Sequence, residues 1–371
     1  MSCFRVCTFT TVVAICASIA ALSAATAQQS SAINRGVVEL ETSGAAGISV
    51  RIAEDLANLI DDGTTRRVVP VVGKGSLQNL TDLRHLRGVD MAILQTDVLD
   101  YAKEQQLLPG LESSLTYISR LYNEEFHLLA GPKVKNITEL ASNKVNVDLR
   151  GSGTAITARR LFDLLKISVT VTNDSQEVAL DKLRRGEIAA LAFIAGKPAP
   201  LFMGLKSDDG LHFLAIPFNQ AVSSAYAPTR LTVADYPDII PHDRPVDTIA
   251  VGSVLAVADL RQLKERYRNV VNFVDVFFTE FHSLLTPGHH PKWHDVTLVA
   301  ELPGWRRFPP AEQWLQKNMQ AVNAPKADDL QQMFARFIDE RRHAMGNPAM
   351  SQQDKDALFQ QFQSWQRGQR Q

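Results

Sequence analysis

One local pattern recurs along this chain and limits what it can fold into: a short apolar strand, a turn of small residues, then the opening of a helix. The clearest copy centres on Arg150-Gly151-Ser152-Gly153-Thr154. Ahead of it, Lys144 to Leu149 alternates, with Val145, Val147 and Leu149 on one face and Lys144, Asn146 and Asp148 on the other. That is the period of a strand. Behind it, Ala155, Ala158, Leu161, Phe162 and Leu165 recur at helical spacing, which predicts a helix from near Gly153 to about Lys166.

Three copies precede it. Val37 to Thr42 is followed by Ser43-Gly44-Ala45-Ala46-Gly47 and a helix with Ile48, Ile52, Leu56 and Leu59 on one face. Arg66 to Val72 is followed by Gly73-Lys74-Gly75-Ser76 and a helix carrying Leu77, Leu80, Leu83 and Leu86. Val89 to Leu94 ends at Gln95-Thr96-Asp97, where another helix opens. Successive units of this kind predict a parallel sheet with helices on its faces. Ligands in such folds sit beyond the carboxyl ends of the strands, where these turns lie.

The chemistry of the turns follows from helix geometry. A helix N-terminus leaves several backbone N–H groups unpaired at the positive end of its dipole, which suits an anion. Ser152 and Thr154 add hydroxyls, and small residues let a ligand approach the backbone. Arg150 is either a bidentate carboxylate contact or an ordinary surface residue. Any single copy could equally be a capped strand-to-helix turn; it is the recurrence that favours a binding role.

At 371 residues the chain exceeds one compact core, so at least two domains are expected. The net charge of -1, with no basic run, argues against nucleic acid as a partner. Arg5, the apolar run from Val12 to Leu22 and the small-x-small site Ala25-Thr26-Ala27 form a secretory leader over residues 1–27. All three cysteines, Cys3, Cys7 and Cys16, fall inside it, so no disulfide or thiol chemistry is expected after its removal. No later segment is apolar enough to span a bilayer, and an exported protein is expected.

Beyond the third unit, Leu115 to Leu121 and Phe126 to Ala130 read as two strands around Tyr122-Asn123-Glu124-Glu125. After Gly131-Pro132 the rhythm restarts, with a strand at Val169 to Thr172, a helix at Gln176 to Arg185 and a strand from Ile188 to Ala195. That last strand stops at Gly196-Lys197-Pro198-Ala199-Pro200. Thr248 to Val257 reads as a strand and Leu260 to Leu285 as one or two helices. Pro287 to Pro310 is loop-like, and Ala311 to Gln371 is polar and helical.

In order, Gly75-Ser76-Leu77-Gln78-Asn79, Gln95-Thr96-Asp97, Gly151-Ser152-Gly153-Thr154-Ala155-Ile156-Thr157-Ala158-Arg159 and Ala195-Gly196-Lys197-Pro198-Ala199-Pro200 resemble the TAXI-type periplasmic solute-binding subunits of TRAP transporters. The resemblance spans roughly residues 37–285. It implies a two-lobed α/β fold of the type II periplasmic-binding kind, hinged by crossing strands near residues 123–130 and 245–250; the C-terminal helical extension exceeds the family's core pattern. Lobe one would be residues 28–125 and 245–310, lobe two 126–244, and the extension 311–371. It further implies a non-enzymatic protein without a cofactor, which captures a small organic anion such as a carboxylate or acidic amino acid and delivers it to a TRAP-type integral membrane permease. The positions that would contact the ligand are Ser43, Gly44, Ser76, Asn79, Gln95 and Thr96 from lobe one, and Arg150, Ser152, Gly153, Thr154 and Gly196 from lobe two, with Tyr122 as a lid at the hinge. One departure stands out: Ala45-Ala46-Gly47-Ile48 occupies the place of an aromatic pair usual in that family.

Rival chemistries have weaker support. His289, His290 and His294 could make a zinc-binding hydrolase, yet Pro291 interrupts any helical His-x-x-x-His spacing. No Gly-x-Ser-x-Gly elbow is present. Lys197 follows Gly196 without the rest of a phosphate-binding loop. A ligand-sensing partner of a membrane receptor would look the same as a transport subunit in sequence.

Overall fold

The structure, a computed structural model, describes residues 36–44 and 47–322. The leader, the Ala45-Ala46 pair and most of the expected C-terminal extension lie outside the described residues. The chain divides into one unit ending at Glu312 and a second beginning at Gln313.

The elements run β1 (Val37–Thr42), α1 (Ser49–Ile60), β2 (Arg67–Val72), α2 (Ser76–His85), β3 (Met91–Gln95), α3 (Thr96–Glu104), α4 (Leu111–Ser114) and β4 (Thr116–Ala130). There follow β5 (Lys144–Asn146), α5 (Gly153–Leu165), β6 (Thr170–Thr172), α6 (Gln176–Arg184), β7 (Ala190–Ala195), β8 (His212–Phe213), α7 (Gln220–Ser223) and β9 (Ala227–Leu231). The last are β10 (Val246–Val257), α8 (Lys264–Thr279) and α9 (Pro309–Val322).

The ten strands of the described residues join one sheet in the order β2-β1-β3-β10-β4-β7-β5-β6, with β8 beside β4 and β9 beside β10. β1 lies parallel to β2 and β3, and β5 lies parallel to β6 and β7, so each half is built from the expected strand–turn–helix units. The sheet as a whole is mixed, because β10 runs antiparallel to β3 and β4, and β4 antiparallel to β7. This is a two-lobed α/β arrangement in which β4 and β10 run through both halves.

β4 corrects the sequence reading. Tyr122 to Glu125 does not separate two strands but sits in the middle of one. Asn123, Glu124 and Glu125 pair with Gly252, Val251 and Ala250 of β10, and Glu125 also pairs with Ala195 of β7. With ladder partners available, polar side chains need only side-chain partners to be buried here, and they have them. β5 is shorter than the alternation suggested, because Asp148 takes a left-handed φ of 67°. Asn146 then turns its side chain to the next connection, with Oδ1 accepting from Asp174 N at 2.8 Å and Thr172 Oγ1 at 3.1 Å.

Each half has its own core. Leu80, Leu83, Leu94 and Leu99 cluster in the first. In the second, Phe126, Leu128, Val145, Leu161 and Ile194 pack on one face, and Phe202, Phe213 and Tyr236 on the other. Burying large apolar side chains of this kind supplies about 1.5–3 kcal/mol each relative to exposure. α8 buries Val270, Phe273, Val274, Phe277 and Phe278 and ends before a 3-10 turn at Phe281–Leu285, which resolves the Leu260 to Leu285 stretch into one α-helix and a tight turn.

Candidate functional site

The small-residue turns from the two halves meet. Gly75 has φ 124°, and a Cβ there would lie 2.7 Å from the Cα of Ser152, so the two backbones are in near contact. Glycine is required at that point both for the backbone angle and for the space. α2 begins immediately after it, at Ser76, and α5 immediately after Ser152. The helix N-termini of the second and fourth turns are thereby brought to one place, each with first-turn amides that lack an intrahelical partner.

Side-chain hydrogen bonds fix the loops around this meeting point. Ser152 caps α5, its Oγ accepting from Ala155 N at 3.1 Å. Thr154 Oγ1 accepts from Ile194 N at 3.1 Å and ties the helix to β7. Ser76 Oγ accepts from Gln95 N at 3.2 Å, and the Ser43 and Ser49 hydroxyls bond to one another. Gln95 reaches across the cleft: a Cβ on Gly153 would lie 1.5 Å from its Oε1. Its Nε2 donates to Glu124 Oε2 at 2.6 Å.

Between the turns lies a cavity of about 300 Å³. Of the residues expected from the sequence, Ser43, Gly44, Ser76, Gln95, Ser152, Gly153 and Thr154 line it. The others do not. Asn79 is buried and holds the end of β1, donating Nδ2 to Thr42 O at 2.8 Å. Thr96 lies beneath the cleft, its methyl against Gly252. Tyr122 is fully buried in β4, away from the cavity wall, and is no lid. Arg150 is exposed and is not part of the lining. Gly196 is a packing glycine, where a Cβ would strike Ile48 Cδ1 at 2.2 Å.

The lining also contains residues the sequence did not single out: Glu124, Asp148, Ser175, Gln176, Glu177 and Phe193. The opening of α6 is a strand–turn–helix unit like the others, so Ser175-Gln176 carried the same signal. Glu124 did not, because a charged residue inside a strand reads as a break. Burial pushes the Glu124 carboxyl up to about 7; the neighbouring Glu125 and Asp97 carboxylates add to this, against the Gln95 bond and Lys292. Asp148 is also raised, chiefly by burial.

A second polar network lies behind the cavity. Glu125 Oε1 accepts from Lys292 Nζ at 2.7 Å, and Glu125 Oε2 from Lys197 N at 2.9 Å. Asp55, buried in α1, accepts from His290 N and Trp293 Nε1, each at 2.9 Å. The His289–His294 loop is therefore anchored structure, and His290 Nδ1 accepts from Lys292 N at 3.1 Å. Among the described residues no three His, Cys, Asp or Glu side chains gather to hold a metal ion.

A larger, open groove of about 940 Å³ lies beside Ile137, Phe218 and β9. None of the expected contact residues lines it. Its cations are already paired, Lys197 with Asp235 at 3.1 Å and Arg230 with Asp247 at 2.6 Å.

The profile of the NMT1-like family matches residues 40–265, well over half of the chain. The chain belongs to the NMT1-like family. The match begins in β1, ends in α8 and takes in all the turns that meet at the cleft. Solved structures similar to this NMT1-like protein include the periplasmic binding protein BugD, at 12% identity over 77% of this chain and 94% of that one, with a TM-score of 0.46. MatC from Rhodopseudomonas palustris, solved with bound malate, is 13% identical over 77% and 97%, with a TM-score of 0.46. The alkanesulfonate-binding protein SsuA from Xanthomonas axonopodis pv. citri, bound to MOPS, is 14% identical over 83% and 93%, with a TM-score of 0.45. Among the described residues of this NMT1-like protein no helix is long and apolar enough to cross a membrane.

Proposed function

We propose that this protein is an exported, periplasmic solute-binding protein that captures a small organic anion between its two halves and delivers it to a TRAP-type membrane permease. The lobes of this reading are residues 28–125 with 245–310, and residues 126–244. The observation that carries it is the near contact of Gly75 with Ser152, which brings the N-termini of α2 and α5 together at one cavity. Unpaired amides and two dipole ends favour a carboxylate there, and a cavity of about 300 Å³ suits a small solute. The ligand contacts are Ser43, Gly44, Ser76, Gln95, Ser152, Gly153 and Thr154. Binding, not turnover, is the activity, and the closed cleft is released by bending at β4 and β10. The ordered TAXI-type turns support the TRAP assignment, as the leader supports export.

Thermal melts of the mature protein against a panel of small carboxylates test the first half of this reading. A ligand at about a hundred times its dissociation constant adds about 2.7 kcal/mol, a shift of several degrees. A carboxylate that raises the midpoint in wild type and fails to do so in Ser152→Ala supports it; no response to any carboxylate overturns it. Uptake of the hit into vesicles carrying a TRAP-type permease, with and without this protein, tests delivery.

A further inference from the structure

The carboxylate reading accounts for the helix N-termini but not for the rest of the cavity wall, which is acidic. Three lining residues bear carboxylates: Glu124 deep in the cleft, Asp148 half-buried and Glu177 at the rim. Lys74 is the sole lining residue with an ammonium, and it is exposed. A second anionic group on the ligand would therefore be set among like charges with little cationic compensation.

Two buried amides point the same way. Gln95 is 6% exposed and Gln176 is 2% exposed, and the Oε1 of each has no hydrogen-bond partner. Their orientations are fixed by what their nitrogens do. Gln95 Nε2 donates to Glu124 Oε2 at 2.6 Å, so turning the amide over would set oxygen against oxygen wherever Glu124 is ionised. Gln176 Nε2 donates to Ala192 O at 3.1 Å, so turning it over would set oxygen against carbonyl. Both oxygens belong to residues of the cavity lining and lack a donor, and buried acceptors require donors. A simple carboxylate, sulfonate or oxo acid has none to offer once it is ionised, and a hydroxy acid such as malate has only its hydroxyl.

Resting on the solute-binding function proposed above, we infer that the ligand is a zwitterion, an amino acid that sets its carboxylate at the N-termini of α2 and α5 and its protonated nitrogen against Glu124 and the Gln95 side chain. A nitrogen-free dicarboxylate would instead set its second charge against the carboxylates of the same wall. Glu124 is the specificity residue. Its raised pKa fits the role, since a bound ammonium would draw its proton off and leave a charge-paired carboxylate.

The test is calorimetry on the mature protein with three probe sets: amino acids (glycine, L-alanine, L-glutamate), nitrogen-free carboxylates (acetate, malate, oxaloacetate) and amines lacking a carboxylate. An amino acid is expected to bind at least about a hundredfold more tightly than any nitrogen-free carboxylate. Glu124→Gln should weaken that amino acid at least about tenfold and leave nitrogen-free carboxylates no weaker. In wild type, amino-acid affinity should fall as pH drops below about 7, and binding near neutral pH should release protons to buffer; this readout needs no variant to fold. Malate or acetate binding as well as the amino acids overturns the zwitterion while the carboxylate reading stands. A bare amine binding as well as an amino acid overturns the carboxylate reading and leaves the Glu124 subsite. No amino acid binding at all overturns the inference outright.

Discussion

Asp97 Oδ2 accepts a hydrogen bond from Thr157 Oγ1 at 2.6 Å, joining the start of α3 in one half to the middle of α5 in the other. Tyr226 Oη donates to the same oxygen at 3.3 Å. Asp97 is 5% exposed, so this is a desolvated contact between the halves. Asp97→Ala is expected to weaken ligand binding by at least about tenfold, since a hydrogen bond to a charged group is worth about 1.5–3 kcal/mol. Thr157→Val should do the same to a smaller degree. Titration calorimetry of both variants checks this, and unaltered affinity in Asp97→Ala would show that closure does not depend on the bond.

Gly75→Ala should prop the cleft apart. Its φ of 124° strains any side chain, and the new methyl would lie 2.7 Å from backbone at Ser152, which has no rotamer to yield. Strain of this kind costs on the order of 1–3 kcal/mol. Affinity is expected to fall at least about tenfold, and small-angle scattering should show the wild-type compaction on ligand addition to be lost. A variant that still compacts would place the meeting of the turns outside the closing motion.

Glu124 makes stability depend on pH in a defined direction. Its carboxyl titrates near 7 in the folded chain against an ordinary 4.5, so the folded state holds a proton that the unfolded state has lost. Its contribution is fully present below about 4.5 and declines as pH rises towards about 7, by on the order of 3 kcal/mol in all. Glu124→Gln, which cannot ionise, is therefore expected to be more stable than wild type at pH 8 and little different at pH 4.5. Ligand-free melts across that range decide it; a wild type that gains on the variant with rising pH would reverse the sign.

Lys292→Met removes one partner of a buried pair, as Lys292 and Glu125 have side chains 7% and 3% exposed. Breaking such a pair costs about 3–5 kcal/mol, whereas replacing both partners by neutral groups is often close to neutral. Urea denaturation should show a large loss for Lys292→Met and substantial recovery in Lys292→Met with Glu125→Gln. Equal losses in the single and double variants would mean that Lys292 acts through packing instead.

The first half of the sheet was legible in sequence because each strand there is apolar, each turn small and each helix amphipathic, so period and punctuation agree. β1 was predicted over the residues it occupies, and the turns at Ser76, Gln95 and Ser152 were found by their chemistry. What could not be read depends on distant partners. Glu124 and Glu125 look like a strand break until Gln95, 29 residues earlier, and Lys292, 167 residues later, are seen to satisfy them. Nor could the histidine loop be seen to be anchored, since Asp55, which accepts the His290 backbone N–H, stands 235 residues before it. Arg150 shows the converse: the motif beside it is in the cleft, but a strand's alternation does not settle where a turn residue projects.

The continuity of β4 and β10 constrains how such a molecule can change over generations. Exchanging one half for that of a relative would require two cuts, each inside a strand whose register with its neighbours must be restored on both sides. Recombination is thus a poor route to a new solute. Substitution is open at turn residues free of the close contacts that fix Gly75 and Gly153, since they end strands without interrupting any ladder, and diversity in such a lineage should accumulate there one residue at a time.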